Sequence, residues 1–572
     1  MFGKVIVLIM SILSQLLIYN FIRTSLVYKN KQEVEQILTY LNKYLTTTYY
    51  APLANHSAVQ IYLPFQYNSI LVKPEYDYCK RSDIYKFYHP DVIMTDTYTF
   101  REARGVIRDA LRSSYYDCIP KMYYKIQNTE SNHIHSNKYL VLSKYVLPEQ
   151  LTLPFTYYDQ LIHKFKVGQA SLCLFQKYNH LPSRHVLSHK DNLMNNQYKY
   201  IDSLREKGVD QECINNATFI PKTYRLFQKQ DCKEFFDYLN SDEYKNKIAE
   251  EGPQFITKVG LEVHRGRGIK VLFPAETKKL QETYRYGKRC GVDHSLLVAQ
   301  QYIGNPMLYN NHKIEFRIYW VLASTNPIIA YAYDKTLIRR CIAPFDKFSL
   351  NKEAHVCNTA IVKSTLKQRE SDLDMDDENA DESELYIDWK LDYLQELLLK
   401  QGKIKDKKWL KNHLYPTVDR MIIHAIKSVE GQITKDSRLA EFFAADFILT
   451  DDLKIHIMEI NYNPQTLKTT PARQKQHTKM TQDMIDIQNA YLRSKYLRFK
   501  KIILKIVAKM KKEKKPLDQT LTPKIIEEIN EAYKDKLDQG IKLQDDNLFR
   551  LVMDENLAGT KQYKDLIQTK CL

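Results

Sequence analysis

Residues 444 to 464 constrain this chain more than any other stretch: Ala-Ala-Asp-Phe-Ile-Leu-Thr-Asp-Asp-Leu-Lys-Ile-His-Ile-Met-Glu-Ile-Asn-Tyr-Asn-Pro. Two apolar runs of strand length flank Asp451-Asp452, a pair suited to a tight hairpin turn. A two-residue turn sets Asp446 opposite Ile457. Period-2 alternation then lines Asp446, Glu459 and Asn461 along one face. Three oxygen donors on a half-buried face suit a hard cation such as Mg²⁺, and the phosphates such a cation carries. An ordinary exposed hairpin with scattered polar side chains has the same pattern, so the rest of the chain must decide.

Charge narrows the partners. The net charge is +17, a field that favours polyanions: nucleic acid, anionic lipid or an acidic protein tail. With 44% hydrophobic residues and 42 tyrosines the composition is globular, and 572 residues supply core for several domains. The nine cysteines are scattered, odd in number and free of CxxC pairs. That argues against a zinc ribbon or a dense disulfide framework and fits reduced thiols in the cytosol.

Residues 5 to 22 are uncharged and mostly aliphatic, between Lys4 and Arg23. Three readings fit: a signal-anchor helix, a cleaved signal peptide and a buried core helix. The anchor is favoured, and Arg23, Lys29 and Lys31 then orient the rest of the chain to the cytosol. Asn55-His-Ser and Asn216-Ala-Thr match the glycosylation sequon at a frequency near chance.

The expected organisation is a hydrophobic segment at 1–24, an N-terminal domain at 25–170, a catalytic domain at 171–480 and a basic helical extension at 481–572. Gly105 to Arg112 suggests a helix within a Tyr-rich region. Residues 151 to 350 alternate short apolar runs with helical stretches, an α/β pattern. Ten acids and no Lys or Arg fill residues 370 to 388, the core of an acidic insertion at 364–388 that reads as a solvated loop. From Arg493 to Lys515 there are eleven Lys or Arg and one acid. Leu492, Tyr496, Phe499, Ile503, Ile506 and Met510 form one apolar stripe on this stretch, and Pro516 ends it. That helix is either docked on the core by its stripe or free to contact an acidic or lipid surface. The tail beyond residue 517 reads as helical and polar.

Three further segments carry chemistry. Phe255-Ile-Thr-Lys258-Val delivers a lysine on a strand, and His264-Arg-Gly266-Arg267-Gly268-Ile269 follows as a glycine-containing loop. Glycines let backbone N–H groups approach a phosphate, and a strand lysine neutralises it. No GxxxxGK[ST] loop occurs. Lys313 to Val321 alternates cleanly: Ile314, Phe316, Ile318 and Trp320 on one face, Lys313, Glu315, Arg317 and Tyr319 on the other. A surface strand with self-compensating charges reads the same way. His355-Val-Cys-Asn358, with Lys363 beyond it, immediately precedes the acidic insertion.

In this order the segments resemble the tubulin–tyrosine ligase-like family of ATP-grasp amino-acid ligases. Asn179-His-Leu-Pro182 and His189-Lys190-Asp191-Asn-Leu193 stand where the family has Asn-x-Phe-Pro-Gly and Arg-Lys-Asp-x-Leu. Lys258 with Gly266-Arg-Gly268-Ile269 resembles its Lys-Pro and Gly-x-Gly-Ile. Gln301-Tyr302-Ile303 with Pro306 resembles its hinge, and Lys313-Ile-Glu315-Phe-Arg317 its Lys-Phe-Asp-x-Arg strand. His355-Val-Cys-Asn358 and Asp446…Glu459-Ile-Asn461-Tyr-Asn-Pro464 complete the set. The likeness covers about residues 175 to 470. Val259 replaces the proline, Glu315 an aspartate and Cys357 a threonine.

The resemblance implies an α/β (α+β) ATP-grasp fold and a reaction that joins a carboxylate to an amine through an acyl phosphate. ATP and Mg²⁺ are the implied cofactors. Asp446, Glu459 and Asn461 are expected to hold the metal, and Lys258 and Lys313 to neutralise phosphates. Arg267, Gly268 and Ile269 would cover them. Gln301, Tyr302 and Ile303 would run along the adenine, Arg317 would orient the acyl phosphate and substrate carboxylates, and His355, Asn358 and Lys363 would line the amino-acid end. The expected partners are acidic tubulin tails or microtubules and a free amino acid, with glutamate favoured over glycine and tyrosine. Residues 5–22 could add a membrane contact. No nucleic-acid partner is expected, and the chain is expected to act as a monomer in the cytoplasm, cytoskeleton or cilium. The alternatives are an acidic substrate other than tubulin, or a protein that binds microtubules or membranes without catalysis.

Overall fold

The computed structural model describes seven helical positions between residues 33 and 45 and three short strands before residue 180. It also describes residues 181–559 apart from 182, 260–267, 293–295, 358–388, 463 and 465–470. The apolar run 5–22, the helix expected at 105–112, Asn179, Pro182, Gly266, Arg267, Asn358, Lys363 and the acidic block 370–388 lie outside the described residues. Among the described residues no helix is long and apolar enough to cross a membrane. The chain divides into two compact units, one of Met1–His180, Lys435–Ala440 and Met484–Asp545, the other of Leu181–Thr434, Glu441–Asp483 and Asp546–Leu572.

In the first unit β1 (Val92–Met94), β2 (Leu140–Leu142) and β3 (Lys177–Tyr178) pair in parallel. Its core forms around the C-terminal part of the helix Pro471–Glu513. Leu492, Phe499, Ile503 and Ile506 bury against Ile37, Leu41 and Leu45 and against Ile525, Ile529 and Tyr533 of the helix Pro523–Tyr533. The described members of the apolar stripe read from the sequence are therefore covered, and the docked arrangement holds. Lys501, Lys505 and Lys512 stay exposed on the outer face. The helix begins far upstream of the expected Arg493. It stops at Glu513, where Lys514 turns to φ +53° ahead of Pro516. Beneath it Lys495 pairs with Asp535 at 3.1 Å, both 0% exposed.

The second unit holds two antiparallel sheets. The smaller comprises β4 (Thr223–Arg225), β5 (Phe255–Val259), β6 (Lys270–Val271) and β7 (Leu297–Gln301), in the order β4-β7-β5-β6. One face packs on an aromatic core of Tyr224, Phe235, Phe236 and Phe255. The larger contains β8 (Leu308–Tyr309), β9 (His312–Thr325), β10 (Ile328–Tyr333), β11 (Leu337–Arg340), β12 (Trp389–Lys390), β13 (Glu441–Leu449), β14 (Ile455–Tyr462) and β15 (Phe549–Asp554). The 14-residue β9 is its axis, pairing with β8, β10, β11 and β13. Its apolar face is buried as the alternation requires: Phe316 stacks on Phe447 and Trp320 on Phe443, each across the β9–β13 register.

Three expectations are corrected. The hairpin loop is longer than two residues, with pairing beginning at Leu449 and Ile455 and Leu453 at φ +64°. A register shift between Asp446 and Phe447 then sets Asp446 opposite Glu459 rather than Ile457. The tail is not wholly helical, because β15 adds to β10 at the edge of the larger sheet. The cysteines are not all reduced: Cys232 is bonded to Cys290 and Cys341 to Cys357. Cysteines 58 and 16 residues apart leave no sequence spacing that announces a pair.

Candidate functional site

The charged face of β9, the hairpin β13–β14 and the strand β5 bring their polar side chains together. Register does most of this. Arg317 on β9 is the cross-strand partner of Asp446 on β13, and Asp446 is in turn the partner of Glu459 on β14. The two carboxylates thus lie side by side on one face, with Asn461 two residues farther along it. Asn461 Nδ2 donates to Glu459 Oε1 at 3.0 Å. The expected face therefore exists, although the register that builds it is different.

Each acid is held by cations. Arg317 grips Asp446 with two parallel bonds, Nε to Oδ1 at 2.5 Å and Nη2 to Oδ2 at 2.6 Å. Arg339, on β11, reaches the same carboxylate at 3.5 Å. Burial pushes the Arg317 pKa down, but the Asp446 charge and bonds outweigh it and leave it above its ordinary value. Arg339 is pushed down by burial and then by Arg317. Lys190, the first residue of the helix Lys190–Glu206, sits 3.3 Å from Glu459. Burial pushes the Glu459 carboxyl up, yet Lys190, the Asn461 amide, Lys258 and Arg317 together hold it well below the usual carboxylate range.

Lys258 is the exception. It is 6% exposed and, among the described residues, donates to neutral oxygens alone, Gln300 Oε1 at 2.6 Å and the Met458 carbonyl at 3.4 Å. Gln300 is itself anchored to Thr223 Oγ1 at 3.1 Å. A buried ammonium without a paired carboxylate costs free energy, and burial lowers its pKa to about 8. Lys313 has firmer partners: Glu315 at 3.0 Å and the His355 carbonyl at 2.8 Å.

A second, neutral network stands behind Lys313. The Tyr302 hydroxyl meets His355 Nδ1 at 2.6 Å, and His355 Nε2 meets the Ser349 carbonyl at 2.6 Å. A carbonyl only accepts, so Nε2 carries the hydrogen and Nδ1 accepts from the tyrosine. Burial lowers the His355 pKa, against the Ser349 carbonyl and with Lys313, which keeps the ring neutral. Burial, then Glu315, raises that of Tyr302. Tyr302 packs with Ile256, Val271 and Phe273, and Ile269 lies against the same cluster. Ile303 is buried nearby in sequence, whereas the Gln301 side chain is exposed and its N–H donates to the Lys222 carbonyl at 2.7 Å. Gly268 has φ +70°, and a Cβ there would stand 2.8 Å from Val259 Cγ2, so only glycine lets the loop lie this close to β5.

The structure thus gathers Lys258, Lys313, Arg317, Asp446, Glu459 and Asn461, and sets Tyr302 and His355 behind Lys313. Sequence reasoning missed Lys190, Gln300 and Arg339 as members of the site. The signal for Lys190 was the His189-Lys190-Asp191 block. That for Arg339 was a pair of adjacent arginines on a short strand, of which alternation directs one inward. Five cations, Lys190, Lys258, Lys313, Arg317 and Arg339, face three acids, Glu315, Asp446 and Glu459. Such an excess suits an anion with several charges. No group of three or more His, Cys, Asp and Glu side chains among the described residues is arranged to hold a metal by itself. Two adjacent carboxylates and an amide do fit Mg²⁺ when ligand phosphates complete the shell.

Comparison with known proteins points the same way. The model of the tubulin-tyrosine ligase family matches residues 168–496, more than half of the chain. Tubulin glycylase 3C of Tetrahymena thermophila is 26% identical over 272 residues, 47% of this chain and 22% of that protein. Tubulin polyglutamylase ttll-5 of Caenorhabditis elegans is 24% identical over 341 residues, 56% of this chain and 41% of that protein. Probable tubulin polyglutamylase TTLL2 of Homo sapiens is 25% identical over 319 residues, 55% and 46% respectively. The chain spans less than half the length of each of these relatives.

Proposed function

The chain belongs to the tubulin-tyrosine ligase family, and from that premise we propose that it is an ATP-dependent ligase of ATP-grasp type. It joins an amino acid, glutamate before glycine or tyrosine, to side-chain carboxylates of acidic protein tails. The observation that carries this reading is Lys258, a buried ammonium whose hydrogen-bond partners among the described residues are neutral, inside a face that has more cations than acids.

Mg²⁺–ATP, when bound, supplies the phosphoryl group that turns an acceptor carboxylate into an acyl phosphate open to attack by an amine. The rest is positioning and charge neutralisation by the chain. Asp446, Glu459 and Asn461 would hold the metal. Lys258 and Lys313 would neutralise phosphate oxygens, with Gly268 and Ile269 assigned beside them, as the resemblance implies. The Tyr302–His355–Ser349 network fixes the backbone on which Lys313 rests. Arg317, which Asp446 holds through Nε and Nη2, would meet a carboxylate or acyl phosphate with the donors left on its guanidinium. Asn358 and Lys363 are assigned to the amino-acid end, as the resemblance implies.

The named relatives divide between glycylases and polyglutamylases. The preference for glutamate rests on the exposed lysines of the Pro471–Glu513 helix, a surface suited to acidic tails. Tubulin tails are the proposed acceptor, with the protein acting at microtubules of the cytoskeleton or cilium.

The test is mass spectrometry of tubulin tails after incubation with the protein, ATP and labelled glutamate, glycine and tyrosine. Glutamate added to internal Glu side chains is the expected result. Addition of glycine alone would replace the amino acid. ATP-dependent labelling of other acidic proteins alone would replace the acceptor, and no labelling of any protein would overturn the ligase reading.

A further inference from the structure

We infer that the Cys341–Cys357 bond is a positioning crosslink of the nucleotide site: it fixes the wall on which Lys313 is held. The inference rests on the ligase reading of that site and goes beyond it.

Four contacts make a closed circuit. Cys341 follows the last residue of β11, and its N–H donates to the Lys313 carbonyl at 2.9 Å, which carries the β9–β11 ladder one step farther. Its own carbonyl faces His312 Nδ1 at 2.9 Å. Cys357 stands two residues after His355, with its sulfur 3.6 Å from that same Lys313 carbonyl. The Lys313 ammonium returns to the His355 carbonyl at 2.8 Å. Lys313 is therefore gripped at its backbone by one half of the crosslink and at its ammonium by the segment that carries the other half. The short helix Lys352–His355 meets β9 through the bond from the Lys313 ammonium to the His355 carbonyl, and the crosslink adds a covalent tie beside it. A lysine aimed at a phosphate loses effect when its support shifts by an ångström.

Both sulfurs are sheltered, Cys341 at 0% and Cys357 at 2% exposure. Burial protects a formed bond from exchange with reduced glutathione. Closure takes two thiols to one disulfide with loss of two protons and two electrons. Exchange with oxidised glutathione supplies the balance and releases two glutathione thiols. The other bond, Cys232–Cys290, lies in the aromatic core behind the smaller sheet. None of the site's charged side chains makes a hydrogen bond with it, so it serves as an internal control.

The test compares the full chain with Cys341→Ser/Cys357→Ser and Cys232→Ser/Cys290→Ser. The first readout is ATP binding by calorimetry, which needs no acceptor. Affinity about tenfold weaker in the 341/357 variant, with unchanged affinity in the 232/290 variant, is the expected result, a loss confined to binding. In turnover the same variant should show a raised KM for ATP with kcat within about twofold. A melting temperature lowered in both variants, with ATP affinity unchanged in both, would reduce the bond to a general staple and overturn the inference. So would alkylation of Cys341 and Cys357 in the denatured protein without reductant. A wild-type chain that binds ATP but ligates nothing would count against the ligase reading alone, while one that binds no ATP would sink both.

Discussion

Arg317 and Asp446 face each other directly across β9 and β13 and share two hydrogen bonds of 2.5 and 2.6 Å, while Arg339 approaches the same carboxylate from β11 at 3.5 Å. One acid thus answers two guanidinium groups. Asp446→Asn leaves both half-buried cations without a full counter-charge. Breaking a buried pair in this way costs about 3–5 kcal/mol. Urea unfolding should show that loss, and adding Arg339→Met to Asp446→Asn should recover part of it by removing one stranded charge. An unchanged midpoint in Asp446→Asn would show that the pair is solvated.

Glu459 supports a second prediction. Glu459→Gln keeps the shape but removes the charge that Lys190 and Lys258 face. If Glu459 stands at the reacting phosphate as proposed, ATP turnover should fall by about 10²–10³ through loss of an electrostatic group there. The pH dependence has a definite sign. A carboxyl with a depressed folded pKa stabilises the native state above its unfolded value, and that contribution is lost as pH falls through the folded one. The stability gap between wild type and Glu459→Gln should therefore be full at neutral pH and narrow at and below the ordinary carboxylate range. A gap independent of pH would refute the charge argument.

The face carrying Asp446, Glu459 and Asn461 was legible in the sequence, because strand alternation survives an error of register by two residues. The register itself was not, since a bulge and a longer loop leave no mark in apolar periodicity. The Lys313–Arg317 strand was legible for the same reason, and so was the covered stripe of the basic helix. Gln300 was invisible because its role depends on Lys258, which lies diagonal to it on the neighbouring strand, and cross-strand proximity is not a local property. The Cys341–Cys357 pair failed in the same way: each cysteine is isolated in sequence, and only the return of β11 beside β9 brings them together.

The outer face of the Pro471–Glu513 helix gives a third prediction. Lys501, Lys505 and Lys512 are exposed, and Lys505 is shared with Glu528 at 2.6 Å. Replacing Lys501 and Lys512 with Glu should weaken co-sedimentation with microtubules, most strongly at low salt, and leave a shallower salt dependence, since exposed charges act over about a Debye length of 10 Å at 0.1 M. ATP binding should not change. Co-sedimentation that is equally strong in the variant would place the acidic contact on another surface, and a stronger effect on anionic vesicles than on microtubules would make the helix a lipid contact.

Lys258 provides the fourth. Burial first, with Lys190 and Lys313 in the same direction and Glu459 and Glu315 against it, brings its pKa to about 8 from the usual 10.5. The free protein therefore carries the charge below about pH 8 and loses it above. If that charge neutralises phosphate, ATP affinity measured by calorimetry should hold below pH 8 and then fall by up to tenfold per pH unit. Lys258→Arg, which stays charged, should bind more weakly because the guanidinium does not fit beside Gln300, but with the alkaline limb removed. Lys258→Met should be weak at every pH. Stability runs the other way: between about pH 8 and 10.5 the unfolded chain binds the extra proton, so folding gains free energy as pH rises through that window. Lys258→Met should therefore be more stable than wild type below pH 8 and lose the advantage as pH approaches 10.5. A variant that gains stability while losing ATP would identify Lys258 as a residue kept for its ligand at the expense of the fold. A variant that loses both would make it a structural lysine.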